Sequence, residues 1–287
     1  MDVLRLTATQ FFKPRSTGRN RPLLLGCEDA GGKLFEVVVK FRGHEMDEKA
    51  QTAELIAAQL ADDLGLQVPQ AAMVDVPSSF EAVIPERELV KMVKGSPGLN
   101  FGSVHVGAGF TTWPPGRNPH GAQRDQAADV FAFDTLVQNP DRRAITPNLW
   151  VRSDRIGVLD HEQAFLFLAL PIVGGGTPKP WTAANHANAF RFLEHHIFYQ
   201  SLRGGRLNLG PFQEKLGALT DGQILAYANG VPAGWNKSDF CDRIVEYEVA
   251  PKGWTRDVPF ETTVMNHLKG RKHHSKAFRK QAVELLL

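Results

Sequence analysis

Lys40 ends the apolar run Val37-Val38-Val39. In an extended strand Val38 and Lys40 share the face opposite Val37 and Val39. A lysine there either turns to water at the strand end or is buried, and a buried cation needs an acceptor. Glu54 poses the converse question, because it shares a helical stripe with Ala50, Ala57 and Ala61. It is either a half-exposed glutamate on an alanine-rich helix or the partner of Lys40, whose strand directly precedes that helix. A lysine–glutamate pair of this kind holds phosphate groups in phosphoryl-transfer sites. Further on, the loop Gln138-Asn139-Pro140-Asp141-Arg142-Arg143 follows a helix, and Asn148-Leu149-Trp150-Val151 starts a strand. Val158-Leu159-Asp160-His161 then sets a carboxylate just past a second apolar strand. Asp141 and Asp160 each read alone as turn residues. Together with Asn148 they offer the oxygen ligands that a hard cation prefers and a carboxylate to face an attacking hydroxyl.

The elements that must position these residues follow from periodicity. Leu23 to Cys27 and Leu34 to Phe41, joined at Ala30-Gly31-Gly32, predict a β-hairpin. Asp47 to Leu64 predicts a helix, with Gly65 at a left-handed C-terminal cap and Pro69 beyond it. Ala71 to Val76 and Glu88 to Val93 read as short strands, and the Gly- and Pro-rich stretch Gly95 to Gly121 as a connector or functional loop. Gln123 to Val137 predicts a helix; Asn148 to Val151 and Arg155 to Leu159 predict two strands turning at Ser153-Asp154. Later helices are expected within Ala183 to Ser201, Pro211 to Leu219, Asp221 to Ala228, Ser238 to Val249 and His273 to Leu286. A β-rich part therefore precedes a helical part. The expected fold class is α+β and two-lobed: a small β-rich lobe over residues 1–97 and a larger, mainly α-helical lobe over 98–287.

The Asn-Pro-Asp-Arg…Asn-Leu…Leu-Asp-His pattern of residues 139–161 resembles the HipA-like kinase family and, more distantly, phosphatidylinositol 3/4-kinases. The Val37–Phe41 strand, the helix end Leu64-Gly65-Leu66-Gln67-Val68-Pro69 and Phe101-Gly102-Ser103 are similar to that family's counterparts, the last to the segment after its hinge. The likeness spans roughly residues 15–165. It implies a protein-kinase-like fold with ATP between the lobes, Lys40 on its phosphates, Glu54 paired with Lys40, Asp141 at the acceptor hydroxyl, and Asn148 and Asp160 on Mg²⁺. Arg15 to Arg21, with Gly18 inside, sits where a phosphate-covering loop belongs, although no G-x-G-x-x-G or Walker A motif is present. Two further departures bear on activity. Asp141 and Asn148 are two residues further apart than in the usual protein-kinase loop, which requires the loop to bulge outward. Asp160-His161-Glu162 also lacks a glycine after the aspartate. They motivate an alternative, a pseudokinase or nucleotide-binding interaction module without turnover.

Composition narrows the field. Hydrophobic residues make up 43% of the chain and charged residues 22%. That balance is ordinary for a globular protein. A net charge of +2 is too small to imply nucleic-acid binding, and the basic stretch Lys269 to Lys280 reads as a solvated helix face. Cys27 and Cys241 form neither a metal motif nor a disulfide framework, so a cytoplasmic setting is expected. The longest apolar run, Ala164 to Val173, is too short to span a bilayer. Adjacent histidine pairs and scattered serines give no zinc helix and no nucleophile elbow. The expectation is an ATP- and Mg²⁺-dependent kinase acting on a hydroxyl of a protein Ser/Thr or a small molecule, without a membrane or nucleic-acid partner.

Overall fold

The computed structural model describes residues 1–15, 21–42, 47–165, 191–203 and 207–235. Gly18, the run after Phe165, the helices expected in 238–249 and 273–286, and the basic stretch 269–280 lie outside these residues.

The first part is a closed five-stranded barrel in the order β1-β2-β3-β5-β4. Strand β1 (Leu4–Pro14) pairs antiparallel with β2 (Leu23–Glu28) and parallel with β4 (Ala71–Asp75), from Leu4 opposite Ala72 to Thr7 opposite Asp75. The expected hairpin joins β2 to β3 (Leu34–Val39), with Leu23 opposite Val39 and Glu28 opposite Leu34. Its turn is fixed by Asp29, whose Oδ1 accepts from the Gly31 and Lys33 amides at 2.9 and 3.0 Å. Strand β5 (Leu99–Val104) pairs antiparallel with both β3 and β4 and completes the ring. The barrel therefore continues to Val104, and the Gly/Pro-rich stretch is not only a connector. Leu6, Leu23, Leu25, Val37, Val39 and Val74 belong to the barrel's apolar cluster.

Between β4 and β5, a 3₁₀ turn (Ser78–Val83) and helix α2 (Arg87–Lys94) close over this cluster. The segment expected as a strand over Glu88 to Val93 is thus helical. Leu89, Met92 and Val93 are all buried. They fall on one face at i, i+3 and i+4, the spacing of an amphipathic helix.

Helix α1 (Glu48–Asp63) separates the barrel from the rest. The Asp47 side chain caps it by accepting from the Ala50 amide at 2.8 Å, as a carboxylate at that position does. Gly65 follows the helix end at φ +80°, the left-handed conformation that glycine adopts without a Cβ clash. Residues 51–61 of α1 are all buried. Its faces join two further clusters: a large one with α3 (Ala122–Leu136), α5 (Gly210–Ala218) and α6 (Asp221–Asn229), and a small one with Met73, Phe101 and Trp235.

A second sheet runs β6-β7-β8, with β6 at Thr111–Thr112, β7 at Leu149–Arg152 and β8 at Arg155–Val158, turning at Ser153 (φ +53°) as expected. The Val158 amide donates to Gln67 O at 2.8 Å, tying this sheet to the chain leaving α1. Further along, a 3₁₀ turn (Arg191–His195) and the short helix α4 (Tyr199–Leu202) precede α5. Among the described residues no helix is long and apolar enough to cross a membrane.

Candidate active site

Lys40 follows directly on β3. Its amide donates to Phe101 O at 2.9 Å, so the strand pairing runs on while Val37 and Val39 stay in the barrel. Gln51, in the first turns of α1, straddles this junction. Its Nε2 donates to Lys40 O at 3.0 Å and its Oε1 accepts from the Phe101 amide at 3.0 Å. That clamp fixes the helix against the strand end, and Glu54, three residues on, reaches Lys40 Nζ in direct ion-pair contact. Lys40 is not a solvated strand-end lysine. Its Nζ also lies 2.5 Å from Asp160 Oδ1 and 3.4 Å from Glu162 Oε2.

Burial alone would lower the lysine pKa, but Asp160, Glu54 and Glu162 together hold it well above its ordinary value. For Glu54 burial is the larger influence and pushes its carboxyl up to about 7 against the pull of Lys40. Asp160 goes the other way. Burial opposes ionisation there, yet the Lys40 charge and hydrogen bond keep its carboxyl below the usual range.

The loop after α3 is shaped by hydrogen bonds to Asp141. Its Oδ1 accepts from Arg143 NH2 at 3.0 Å and from Thr146 Oγ1 at 3.2 Å, and its Oδ2 accepts from Asn148 Nδ2 at 3.1 Å. The two extra residues do bulge outward. Arg143 and Thr146 exchange amide–carbonyl bonds at 3.1 Å, and Ile145 at the tip is 82% exposed.

Beneath this loop lies a group that sequence reasoning did not single out. Arg142 and Asp134, both fully buried, form a two-pronged pair through Nε–Oδ2 and NH2–Oδ1, the latter 3.1 Å. Arg142 NH1 reaches on to Asn148 O at 2.6 Å and Leu159 O at 3.2 Å. His196 Nε2 meets Asp134 Oδ2 at 3.0 Å, and Asn139 Nδ2 donates to its Oδ1 at 3.2 Å. Burial would raise the Asp134 pKa, but Arg142 and His196 hold it down to about 2. The sequence signal was faint: an aspartate inside the otherwise apolar end of α3, Phe131-Ala132-Phe133-Asp134.

Two groups of expected residues are thus brought together, Lys40–Glu54–Asp160 and Asp141–Asn148. Asn148 and Asp160 both adopt positive φ, +47° and +58°. Among non-glycine residues Asn and Asp adopt this left-handed conformation most readily. Carboxylate oxygens of Glu54, Asp160 and Glu162 lie within 4.8 Å of one another. Such all-oxygen donors suit a hard divalent cation.

A model of the HipA-like kinase family matches residues 9–167, more than half of the 287-residue chain. The chain belongs to the HipA-like kinase family. The lysine strand, the Asp-Arg loop and the Asp160 position of this HipA-like kinase all fall inside the matched region. Among solved structures, the Helicobacter pylori proinflammatory kinase CtkA is similar over 100% of both chains, with a TM-score of 0.51 and 11% identity, a likeness of fold. A complex of Neurospora crassa PAN2 with the PAN3 pseudokinase aligns at a TM-score of 0.28 and 12% identity, over 97% of this chain and 63% of that one. The FAT and kinase domain of CtTel1 aligns at a TM-score of 0.27 and 10% identity, over 96% of this chain and 23% of that one. No protein of curated function matches the chain.

Proposed function

We propose that this HipA-like kinase is an active, ATP- and Mg²⁺-dependent enzyme that transfers the γ-phosphoryl group to a hydroxyl, with protein Ser/Thr as the acceptor. The observation that carries the reading is the contact of Lys40 with both Glu54 and Asp160, the latter 120 residues away in sequence. A buried cation shared by a helix carboxylate and a carboxylate beyond β8 is what a phosphate-binding lysine needs: charged, held, and next to the cation ligands. In this reading the lobes meet at Lys40 and Asp160, and the first lobe runs through Val104 so that β5 stays with its barrel.

Lys40 would bind the α- and β-phosphates and Glu54 would orient Lys40. Asp141 would accept a hydrogen bond from the attacking hydroxyl and aim it, with Thr146 and Asn148 fixing the carboxylate plane. Asn148 and Asp160 would hold Mg²⁺, which supplies neutralisation of charge on the phosphate oxygens when bound. Gly18 and its neighbours would cover the phosphates. The rest is positioning and electrostatics.

Thermal unfolding with and without Mg²⁺–ATP tests this in the wild type, Asp160→Ala and Asp141→Ala. Nucleotide at about 100-fold above its dissociation constant stabilises by roughly 2.7 kcal/mol. For a chain of this size the melting point moves on the order of 2–4 °C per kcal/mol. The Mg²⁺-dependent part of the shift should vanish in Asp160→Ala and the whole shift persist in Asp141→Ala, whose phosphoryl transfer to a protein substrate should fall roughly 10²–10⁴-fold. A wild-type shift without any transfer would favour a nucleotide-binding module instead. No wild-type shift at millimolar ATP would end the nucleotide reading.

A further inference from the structure

The Asp134–Arg142–His196 group touches neither nucleotide nor acceptor in the proposed mechanism, yet it holds a fully buried ion pair. Replacing such a pair by apolar side chains is often neutral or stabilising, so stability alone is a weak reason for one to be there. What the pair does provide is direction. Arg142 NH1 donates to Asn148 O at 2.6 Å and to Leu159 O at 3.2 Å, the main chain of one expected cation ligand and of the residue before the other. The Leu159 amide donates to the same Asn148 O at 2.9 Å, so one carbonyl gathers both stretches. Both ligand residues have left-handed backbones, which Asn and Asp adopt readily, so the carbonyl contacts, not strain, fix where the two stretches sit. The guanidinium is itself fixed from behind. Asp134 takes two of its nitrogens, His196 and Asn139 occupy the remaining directions on Asp134, and the Ile197 amide donates to Arg142 O at 2.9 Å.

We propose that Arg142, neutralised by Asp134 and steadied by His196, is a positioning residue that sets the separation and aim of Asn148 and Asp160, and thereby the affinity for the divalent cation. The inference rests on the kinase reading above. Only a planar fork can serve Asp134 on one edge and two carbonyls on the other; a lysine keeps the charge but not the geometry. Among the described residues beyond 190, His196 and Ile197 thus take part in the site through Asp134 and Arg142.

The test compares wild type with Arg142→Lys, Asp134→Asn and His196→Gln. The readout is the free Mg²⁺ concentration that gives half of the ATP-induced melting shift, together with the shift produced by ATP in EDTA. Outer-shell partners of metal ligands typically contribute about 10–100-fold in metal affinity. The Mg²⁺ midpoint should rise by that factor in Arg142→Lys and Asp134→Asn, and by a few-fold in His196→Gln. The metal-free ATP shift should stay at its wild-type size, since Lys40 is untouched. A purely structural role would lower the melting temperature and leave the midpoint where it was, and that result in any folded variant of Arg142 or Asp134 would overturn the proposal. If neither folds, His196→Gln, which removes one hydrogen bond, decides in the same way. A wild type without a Mg²⁺-dependent shift would instead bring down the kinase reading itself.

Discussion

Glu54 and Asp134 are both buried carboxylates, and their surroundings drive them apart. Burial dominates at Glu54 and its carboxyl rises to about 7; at Asp134, Arg142 and His196 outweigh burial and hold it at about 2. His196 is lowered from its ordinary 6.5, chiefly by burial. These directions fix the sign of the pH dependence. A depressed group adds stability above its unfolded pKa that is lost as the pH falls through its folded one. His196 therefore weakens the fold as the pH drops below about 6.5, and Asp134 weakens it further between 3.8 and about 2. Glu54 works the opposite way, its contribution fading as the pH rises from 4.5 through about 7. The separating measurement is the melting temperature of His196→Gln from about pH 7 down to about pH 4, which should fall less steeply than that of the wild type. An equally steep fall would remove His196 from the account. Lys40, Glu54 and Asp160 could be found from sequence because each is a charge on an otherwise apolar pattern. Asp134 carried the same mark, but its partners could not be read: Arg142 sits in a loop and His196 is 62 residues away.

The elements that hold these side chains owe as much to small residues and amides as to charges. Gly102 in β5 lies where the chain passes between β3 and β4. A Cβ there would come within 2.7 Å of Val37 Cγ1 and 2.9 Å of Val74 Cγ2. Gly102→Ala should therefore cost about 1–3 kcal/mol by overpacking, seen as a lower denaturation midpoint. Because Phe101 carries the Gln51 clamp, that variant should also weaken ATP binding. A variant as stable as wild type would show that the barrel wall yields at this point. This strand was hidden in a stretch whose glycines and prolines read as a loop. The usual cue of alternating burial is absent, since Asn100, Phe101 and Gly102 are buried in succession. Helix α2 differs from the expected strand because the β-branched Val90 and Val93 favour a strand over a short window, whereas the spacing of Leu89, Met92 and Val93 is helical. Helix α1 was readable because its helical spacing and Gly65 agreed; the Asp47 cap was seen only in the structure.

The order of parts, a β-rich half before a helical one, was readable from periodicity, but the closing of the first half into a barrel was not. Closure depends on the parallel pairing of β1 with β4. Such a pairing joins stretches far apart in sequence and leaves no local trace. It also has a consequence for the life of the protein on the ribosome. Every strand of the barrel, with Lys40 and Glu54, lies before residue 105, whereas Asp160 and His196 are made much later. At about 5–20 residues per second, the roughly ninety residues between Val104 and His196 take on the order of 5–20 s to emerge. Nascent chains stalled near residue 155, with the barrel clear of the exit tunnel, should resist protease over the barrel yet show no ATP-dependent protection, while chains stalled beyond residue 240 should show both. If so, the growing polypeptide passes through translation with its lysine already buried beside Glu54 and no means of using ATP, and becomes competent only when the chain that carries His196 arrives.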